Sequence, residues 1–144
     1  MSITDIVYSK SSHSIYSCSE DQTIIQWDAS SGEQQQYLSN LILFALNQII
    51  LFFCCSPFKR DTYPIHKLCL NHQETVLSSG SSTIKLWDLS SKKILKKFQG
   101  HSQPVTCLKF DYGDHYLISC TKDRFISLWN CSNESESKQA IQGF

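Results

Sequence analysis

Short apolar runs recur along this chain in a fixed order. Three of them end on a tryptophan in the same frame, at Trp27, Trp87 and Trp129. Two further runs precede each tryptophan, and the first apolar residue of each set (Ile3, Ile65 or Val105) stands 24, 22 or 24 positions before it. Short aliphatic or β-branched runs separated by segments rich in Ser, Asp and Gly are typical of strands. The pattern therefore predicts a threefold repeat of short strands.

Each repeated unit is predicted to contain four strands, three up to the tryptophan and a fourth after it. The predicted strands cover residues 3–7, 14–18, 24–28 and 34–38 in the first unit, residues 65–70, 75–79, 84–88 and 93–98 in the second, and residues 105–110, 116–120, 126–130 and 138–141 in the third. Because the connections between them are short, neighbouring strands of one unit are expected to pair antiparallel.

The tryptophan spacing is interrupted once. Trp87 and Trp129 are 42 residues apart, whereas Trp27 and Trp87 are 60 apart, which is an excess of 18. The surplus coincides with residues 41–57, in the connection between the first and second units. The sequence thus predicts an insertion between two regular units.

The insertion contains the longest hydrophobic stretch of the chain. Residues 41–55 include 13 apolar residues in 15, interrupted only by Asn47 and Gln48. As a helix the stretch would be about 22 Å long, shorter than the roughly 30 Å hydrocarbon core of a bilayer, so a membrane span is disfavoured. The alternatives left open are a docked helix, an added buried strand, and a segment foreign to the fold, such as a translated intron, placed where insertions do least harm.

Four antiparallel strands in a unit of about 40–45 residues that closes on Trp-Asp resemble a repeat of the WD-repeat family. The third unit is the fullest match, with Gly100-His101, Val105, Ser119, Asp123 and Trp129 in this order. The resemblance implies an all-β fold, a partial WD-repeat β-propeller of about three four-stranded antiparallel blades. Three blades do not close a ring, since propellers have roughly four to eight. We therefore expect a truncated product or a piece of a longer gene, which on its own is weakly stable and aggregates or oligomerises.

The resemblance also divides the chain into segments. Residues 1–38 are expected to form the first blade, whose start lacks the Gly-His pair, and residues 39–62 a hydrophobic insertion or linker for which a helix is one option. Residues 63–98 and 99–144 are expected to form the second and third blades.

His101, Ser119 and Asp123 look like parts of a hydrolase triad, which would need an exposed serine beside a histidine oriented by an aspartate. The resemblance implies instead that these three residues and Trp129 form a structural tetrad, in which a chain of hydrogen bonds links carboxylate, imidazole, hydroxyl and indole. No Gly-rich nucleophile elbow and no second base accompany them. We therefore favour the structural role and expect no catalysis.

The other two units keep only parts of this tetrad. The partial sets are Ser17, Asp21 and Trp27 in the first unit, and Trp87 with either Ser78 or Ser79 in the second. The turn at residues 80–82 is one residue shorter than its counterparts and carries no aspartate. Because an incomplete buried network is costly, we expect the network of the second blade to fail and this blade to be looser.

A cluster of four lysines surrounds the predicted fourth strand of the second unit, at Lys92, Lys93, Lys96 and Lys97. Such a cluster suits contact with RNA phosphates or with a partner. It equally suits the protection of an outermost strand against edge-to-edge aggregation. No aromatic platform for nucleotide bases accompanies the lysines, which favours protection.

Composition narrows the function classes. Thirteen basic and thirteen acidic side chains in 144 residues give a formal net charge of zero, which argues against a polybasic nucleic-acid arm. Seven cysteines include no C-x-x-C pair, and His66 with Cys69, or His13 with Cys18, lacks a second pair at ligand spacing. We therefore expect no metal and no other cofactor. An odd cysteine count without a secretory signal favours a reducing cytosolic or nuclear compartment.

Within the WD-repeat family, the chain is similar to a Utp-type subunit of the small-subunit processome. The likeness rests on residues 15–19, on residues 77–80 running through a turn without aspartate into residues 83–87, and on Gly100-His101, Pro104-Val105 and Asp123-Arg124 in the same order. It implies a non-catalytic scaffold for protein–protein assembly in nucleolar pre-ribosomal RNA transcription and processing. The expected partners are other proteins of a large assembly, with RNA contact only indirect, no small-molecule substrate and no membrane.

A second hypothesis stays open beside this one. The chain would then be a WD-repeat adaptor of another complex, such as a substrate receptor of a ubiquitin ligase or a signalling or trafficking hub, with the cytoplasm as its location.

Overall fold

The described part of the chain contains strands and connecting turns. The computed structural model describes residues 2–35, 63–122, 125–132 and 138–142, and no helix occurs within these ranges. The strands are β1 (Ile3–Ser9), β2 (Ser14–Ser19), β3 (Ile24–Asp28), β4 (Lys67–Leu70), β5 (Val76–Gly80), β6 (Ile84–Asp88), β7 (Ile94–Phe98), β8 (Val105–Phe110), β9 (Tyr116–Thr121), β10 (Phe125–Asn130) and β11 (Lys138–Gln142).

The strands form three antiparallel sheets, each made of consecutive strands of one unit. The first sheet has the order β1-β2-β3, the second β4-β5-β6-β7 and the third β8-β9-β10-β11. The strand ends agree with the sequence-based bounds within two residues, and the predicted all-β fold class is confirmed. Of the predicted strand at residues 34–38, the structure describes a single bridge between Gln34 and Trp27. Residues 41–55 and the helix considered for them lie outside the described residues.

Each sheet has the same two faces, because the same register recurs in all three. We call the side that carries the tryptophan face A, where Trp27, Trp87 and Trp129 lie opposite Ile15, Leu77 and Leu117. Since successive side chains of a strand alternate between the two sides, the opposite side, face B, carries Tyr16 opposite Gln26, Ser78 opposite Leu86, and Ile118 opposite Leu128.

The core lies between the sheets, where face A of one sheet packs on face B of the sheet before it. Leu68, Leu77 and Trp87 of the second sheet pack with Tyr16, Cys18 and Ile24 of the first. In the same way, Leu108, Leu117 and Trp129 of the third sheet pack with Ile84, Leu86 and Phe98 of the second. Each contact buries one apolar face of both sheets that form it, as the contacts between propeller blades do.

Hydrogen bonds join neighbouring sheets where each unit begins. The Ile65 N–H donates to the Ser19 carbonyl oxygen at 3.4 Å, and the Val105 N–H donates to the Ser81 carbonyl oxygen at 3.1 Å. Thr4 Oγ1 donates to the Ile65 carbonyl oxygen at 2.6 Å. The two backbone contacts occur at corresponding positions, so the second sheet is related to the first as the third is to the second.

The aspartate that follows each of the first two tryptophans caps the next turn. Asp28 Oδ1 accepts from the N–H groups of Ser30 and Ser31, both at 2.8 Å, a side-chain turn typical of aspartate. In the second sheet, Asp88 Oδ1 accepts from the Ser91 N–H and from the Ser90 hydroxyl, both at 2.6 Å. The residue four positions on has a left-handed backbone in both turns, with φ of +72° at Gly32 and +58° at Lys92.

In the second sheet the tryptophan–serine bond forms although the turn lacks an aspartate, and the lower stability expected of this sheet stays a prediction. Trp87 is fully buried, and its Nε1 donates to Ser79 Oγ at 2.8 Å. Ser81 Oγ donates to the Thr83 carbonyl oxygen at 2.8 Å across the turn that lacks an aspartate. Because a serine closes this turn and neighbouring sheets cover both faces, the missing aspartate leaves the packing intact.

Gly80 provides a test of the close approach between the second and third sheets. A Cβ at this position would lie 2.8 Å from Leu108 Cδ1 and 2.9 Å from Val105 Cγ1. Gly80→Ala is therefore expected to lower the free energy of unfolding, measured by urea denaturation, by about 1–3 kcal/mol, as overpacking does. The control is Gly113→Ala in an exposed turn, where the new Cβ would meet only movable side chains, the nearest being that of His115. Equal losses in the two variants would contradict the close packing.

Candidate functional site

One tryptophan–serine hydrogen bond occurs in each sheet. The indole Nε1 of Trp27 donates to Ser17 Oγ at 2.7 Å, that of Trp87 to Ser79 Oγ at 2.8 Å and that of Trp129 to Ser119 Oγ at 2.7 Å. The serine lies on the middle strand and the tryptophan on the next one, on the same face. A buried indole N–H needs an acceptor. Of the two serines left open by the sequence, the structure therefore selects Ser79.

In the third sheet a histidine joins this pair. His101 Nε2 lies 2.6 Å from Ser119 Oγ, and its ring packs edge-on against the Trp129 ring at 5.5 Å. Gly100 precedes it with φ of +135°, a backbone conformation that favours glycine and turns the chain toward the sheet. His101, Ser119 and Trp129 are thus brought together. Asp123 lies outside the described residues, so the complete tetrad stays a prediction.

The arrangement around Ser119 is unsuited to nucleophilic catalysis. Ser119 is fully buried, and its hydroxyl already bonds an indole and an imidazole. A serine nucleophile must instead be exposed at a cleft that admits substrate. The chemistry available to this set is therefore the satisfaction of buried polar groups.

In the first sheet, Asp21 acts on its own turn. Its Oδ1 accepts from the Thr23 N–H at 3.0 Å and also from the Thr23 hydroxyl. This carboxylate fixes the turn between β2 and β3, while Ser17 and Trp27 form their bond on the sheet itself.

Two of the four lysines predicted to lie on an outer strand contact neighbouring sheets. Lys92 Nζ donates to Gln26 Oε1 of the first sheet at 2.7 Å and lies 5.6 Å from the Tyr16 ring centroid. Burial lowers the pKa of Lys92 to about 8, against the opposing effect of the Asp88 charge.

Lys96 Nζ donates to the carbonyl oxygens of Asn130 and Cys131 in the third unit, at 3.3 and 3.4 Å. Lys93 and Lys97 are exposed. Partly buried and exposed lysines alternate along this segment, so the four side chains form no continuous basic patch.

Two carboxylates that the sequence analysis did not single out bridge the sheets. Glu74 Oε2, in the β4–β5 turn, accepts from Ser9 Oγ and Ser11 Oγ at 2.7 Å each and from the Ser11 N–H at 2.8 Å. Both hydroxyls belong to the first sheet and its turn. The sequence does contain a signal for these bridges, because an acidic residue stands two positions before the second strand of both units, Glu74 before Val76 and Asp114 before Tyr116.

Asp114 makes the corresponding bridge between the third and second sheets. Its carboxylate accepts from the His72 N–H at 2.8 Å, from Asn71 Nδ2 at 3.0 Å and from the Gln73 N–H at 3.2 Å. Burial acts to raise the pKa of Asp114, but the hydrogen bonds from His72 and Gln73 outweigh it and lower that pKa. The charged form of this side chain therefore holds neighbouring turns together.

A cleft of about 420 Å³ lies between the second and third sheets, lined among others by Leu86, Leu95, Lys96, Phe110 and Cys131. Burial raises the pKa of Cys131 to about 11, so its thiol stays protonated and unreactive at neutral pH.

Within the described ranges, no three His, Cys, Asp or Glu side chains are grouped to hold a metal ion. Nor does this part of the chain contain a helix long and apolar enough to cross a membrane.

Two buried serines of the third sheet test the role of the hydroxyl that bonds the indole. Ser119→Ala removes the partner of both Trp129 and His101, so the free energy of unfolding is expected to fall by about 1–3 kcal/mol. The matched control is Ser127→Ala, because Ser127 is equally buried and its hydroxyl has no hydrogen-bond partner among the described residues. That control is expected to be neutral or stabilising. Equal melting temperatures in both variants would contradict the structural role of Ser119.

The Glu74 bridge predicts a pH dependence of stability. Hydrogen bonds from the Ser11 N–H and then from the Ser9 hydroxyl lower the pKa of Glu74 from 4.5 to about 2. The folded-state pKa is below the unfolded one, so the carboxylate stabilises the fold above pH 4.5 and loses this effect as the pH falls toward 2. Glu74→Gln is expected to lower the free energy of unfolding at pH 7 by about 1 kcal/mol.

Urea denaturation at pH 7 and at pH 3 measures this effect. The deficit of Glu74→Gln relative to the unaltered chain is expected to shrink at pH 3. The exposed Glu33→Gln serves as the control and is expected to change little at either pH. A deficit that is the same at both pH values would exclude an ionised bridge.

The comparisons with known proteins agree with this geometry. Residues 1–28 and 92–130 match the family model of the WD domain, G-beta repeat. The chain is 26% identical to WD repeat-containing protein 43 of Homo sapiens over 153 aligned positions, covering 96% of this chain and 20% of that protein. It is 28% identical over 138 positions to the U3 snoRNP-associated protein-like EMB2271 of Arabidopsis thaliana, covering 93% of this chain and 28% of that protein. The chain thus spans less than a third of the length of these two relatives.

The fold is also found among solved structures. The structure of U3-55K superposes on this chain with a TM-score of 0.77 at 24% identity, covering 99% of this chain and 40% of that one. At this identity the likeness concerns the fold alone. The three stacked antiparallel sheets and the superposition show the fold of a partial β-propeller, which is the predicted fold class. The matched residues agree with the resemblance to the WD-repeat family.

Proposed function

We propose that this chain is a non-catalytic scaffold for protein–protein assembly in the small-subunit processome, where pre-ribosomal RNA is transcribed and processed. The observation that carries this proposal is the similarity, along nearly the whole chain, to a protein whose name associates it with the U3 snoRNP. The turn at residues 80–82, which lacks an aspartate and whose serine closes it, supports the likeness to a Utp-type subunit.

The geometry suits binding better than catalysis. The candidate nucleophile Ser119 is fully buried, and its hydroxyl bonds the Trp129 indole inside the stack. What the stack presents to a partner is its turns, held in place by bridging carboxylates such as Asp114. Rigidly held surface turns are suitable recognition elements. No small-molecule substrate, cofactor or membrane enters the proposal.

Tyr112 is the aromatic side chain best placed for such recognition. It lies in the β8–β9 turn, is 90% exposed, and its ring centroid is 5.1 Å from that of His72 in the neighbouring turn. Asp114 binds both the N–H and the ring of His72 and so fixes the pair. Exposed aromatic residues on a rigid support are frequent anchors at protein interfaces. We therefore place a partner contact at this turn.

RNA contact in this proposal is indirect. The formal net charge is zero, and two of the four clustered lysines are engaged with neighbouring sheets. The two exposed ones, Lys93 and Lys97, are too few for the multiple phosphate contacts on which nucleic-acid affinity depends. Proteins of the assembly would bring the chain near pre-ribosomal RNA, in the nucleolus.

The test is to express the tagged chain in cells, to locate it by fluorescence, and to quantify pre-ribosomal RNA and processome proteins that are purified with it. The expected result is nucleolar signal and recovery of both. Tyr112→Ala is expected to lower the recovery several-fold, whereas the double variant Lys93→Glu/Lys97→Glu is expected to leave it unchanged, because neither lysine carries the contact.

Each rival hypothesis has a distinct outcome in this experiment. A cytoplasmic signal with a cullin-linked partner would favour the ubiquitin-ligase adaptor and reject the ribosomal role. Loss of RNA recovery in the lysine variant with retained protein recovery would reject indirect RNA contact. Correct folding of each variant is checked by its melting temperature, which substitution of these exposed side chains is expected to leave unchanged.

A further inference from the structure

Both sheet contacts in this chain follow one rule, face A on face B. Ile65 and Val105, the first apolar residues of the second and third units, donate their N–H groups to the preceding sheet in the same way. The tryptophan of face A is enclosed by the preceding face B in both contacts. The rule is directional. It uses one face of the first sheet and one face of the third. Within the described part of the chain, no sheet covers face A of the first sheet or face B of the third.

The uncovered face A has the composition of a face that is normally buried. Ile6 is 62% exposed, whereas Leu68 and Leu108, at the corresponding positions of the other two sheets, are 5% and 3% exposed. Ile3 and Tyr8 on the same strand are exposed as well. Large aliphatic and aromatic side chains grouped on one exposed sheet face mark an interaction surface.

The uncovered face B shows the same contrast. Ile126 is 38% exposed, whereas Ile24 and Ile84, at the corresponding positions of the first and second sheets, are 2% and 0% exposed. Ile118 on the neighbouring strand is exposed too. The chain therefore carries one exposed apolar face A and one exposed apolar face B. Within the stack, a face A always packs on a face B.

We propose that two copies of this chain pack head to tail, with face A of the first sheet of one copy on face B of the third sheet of the other. The two contacts are identical and are related by a twofold axis, so the assembly closes. Together the copies supply six sheets, within the roughly four to eight blades of closed propellers. This inference is independent of the proposed ribosomal role.

The residues at the edge of the proposed contact between copies are compatible with a second copy of the chain. Between the first and second sheets, Lys92 reaches Gln26. In the contact between copies, the corresponding positions are Gly32, which has the same left-handed turn conformation as Lys92, and Leu128, which lies at the register position of Gln26. A leucine needs no cationic partner, and glycine presents none. The Lys92–Gln26 pair between the first two sheets thus corresponds to Gly32 facing Leu128 in the contact between copies.

The test uses the full chain and light scattering coupled to size-exclusion chromatography. The unaltered chain is expected to have twice its mass of 16.5 kDa. Ile6→Glu on face A and Ile126→Lys on face B are each expected to give the monomer mass, because each places a charge in both contacts. Both residues are exposed in the single chain, so the fold is expected to persist, as checked by circular dichroism.

Mixing these two variants gives a sharper result. Their heterodimer has one unaltered contact and one in which the introduced carboxylate and the introduced ammonium group are in the same packed layer, so the dimer mass is expected to return. Leu95→Glu, which alters an equally exposed apolar residue of β7 outside both faces, is the matched control and is expected to remain dimeric. A monomeric unaltered chain, a dimer that survives Ile6→Glu, or a mixture that stays monomeric would overturn the proposal. Open filaments of the unaltered chain would overturn the closed assembly.

Discussion

The stacking of face A of one sheet on face B of the preceding sheet is the contact on which the rest of the structure depends. A sheet of this size cannot bury its apolar side chains alone, so each one is stabilised by its neighbours. Trp87 and Trp129 are the largest side chains buried in the two contacts. Each indole N–H finds a serine hydroxyl on the adjoining strand, and this bond preserves the gain from burial, since an unpaired buried donor would offset much of it.

Polar contacts at the rims of the sheets determine how the stack is aligned. Near the first strands, the Asp5 carboxylate accepts from the Leu68 N–H at 2.9 Å. At the turns, Glu74 accepts hydrogen bonds from Ser9 at the end of β1 and from Ser11 in the following turn. Asp114 bonds three consecutive residues of the β4–β5 turn, Asn71, His72 and Gln73. Apolar packing alone is tolerant of small displacements, whereas carboxylates bonded to N–H groups are directional. The carboxylates therefore place the surface turns with respect to one another.

The same features connect the structure with the proposed function. Three serine hydroxyls are occupied by indoles, and the proposed scaffold role therefore uses the surface of the stack. The turns aligned by Asp114 present an exposed aromatic pair, Tyr112 and His72. The uncovered faces of the first and third sheets present a second kind of surface, which matches the faces already buried in the stack. In the proposed role, partners bind at the turns and at the ends of the stack.

The sequence by itself determined the strands, their grouping into units and the tryptophan–serine bonds of the first and third units. These features are local, since Ser17 and Trp27 are ten residues apart and face each other through the register of one hairpin. Only the tertiary structure decided that Lys92 and Lys96 contact neighbouring sheets, that the second sheet is well packed, and that Glu74 and Asp114 are bridges. Their partners are 34 to 66 positions away. Such contacts depend on which sheet is adjacent in space, and the spacing of residues along one unit contains no information about its neighbour.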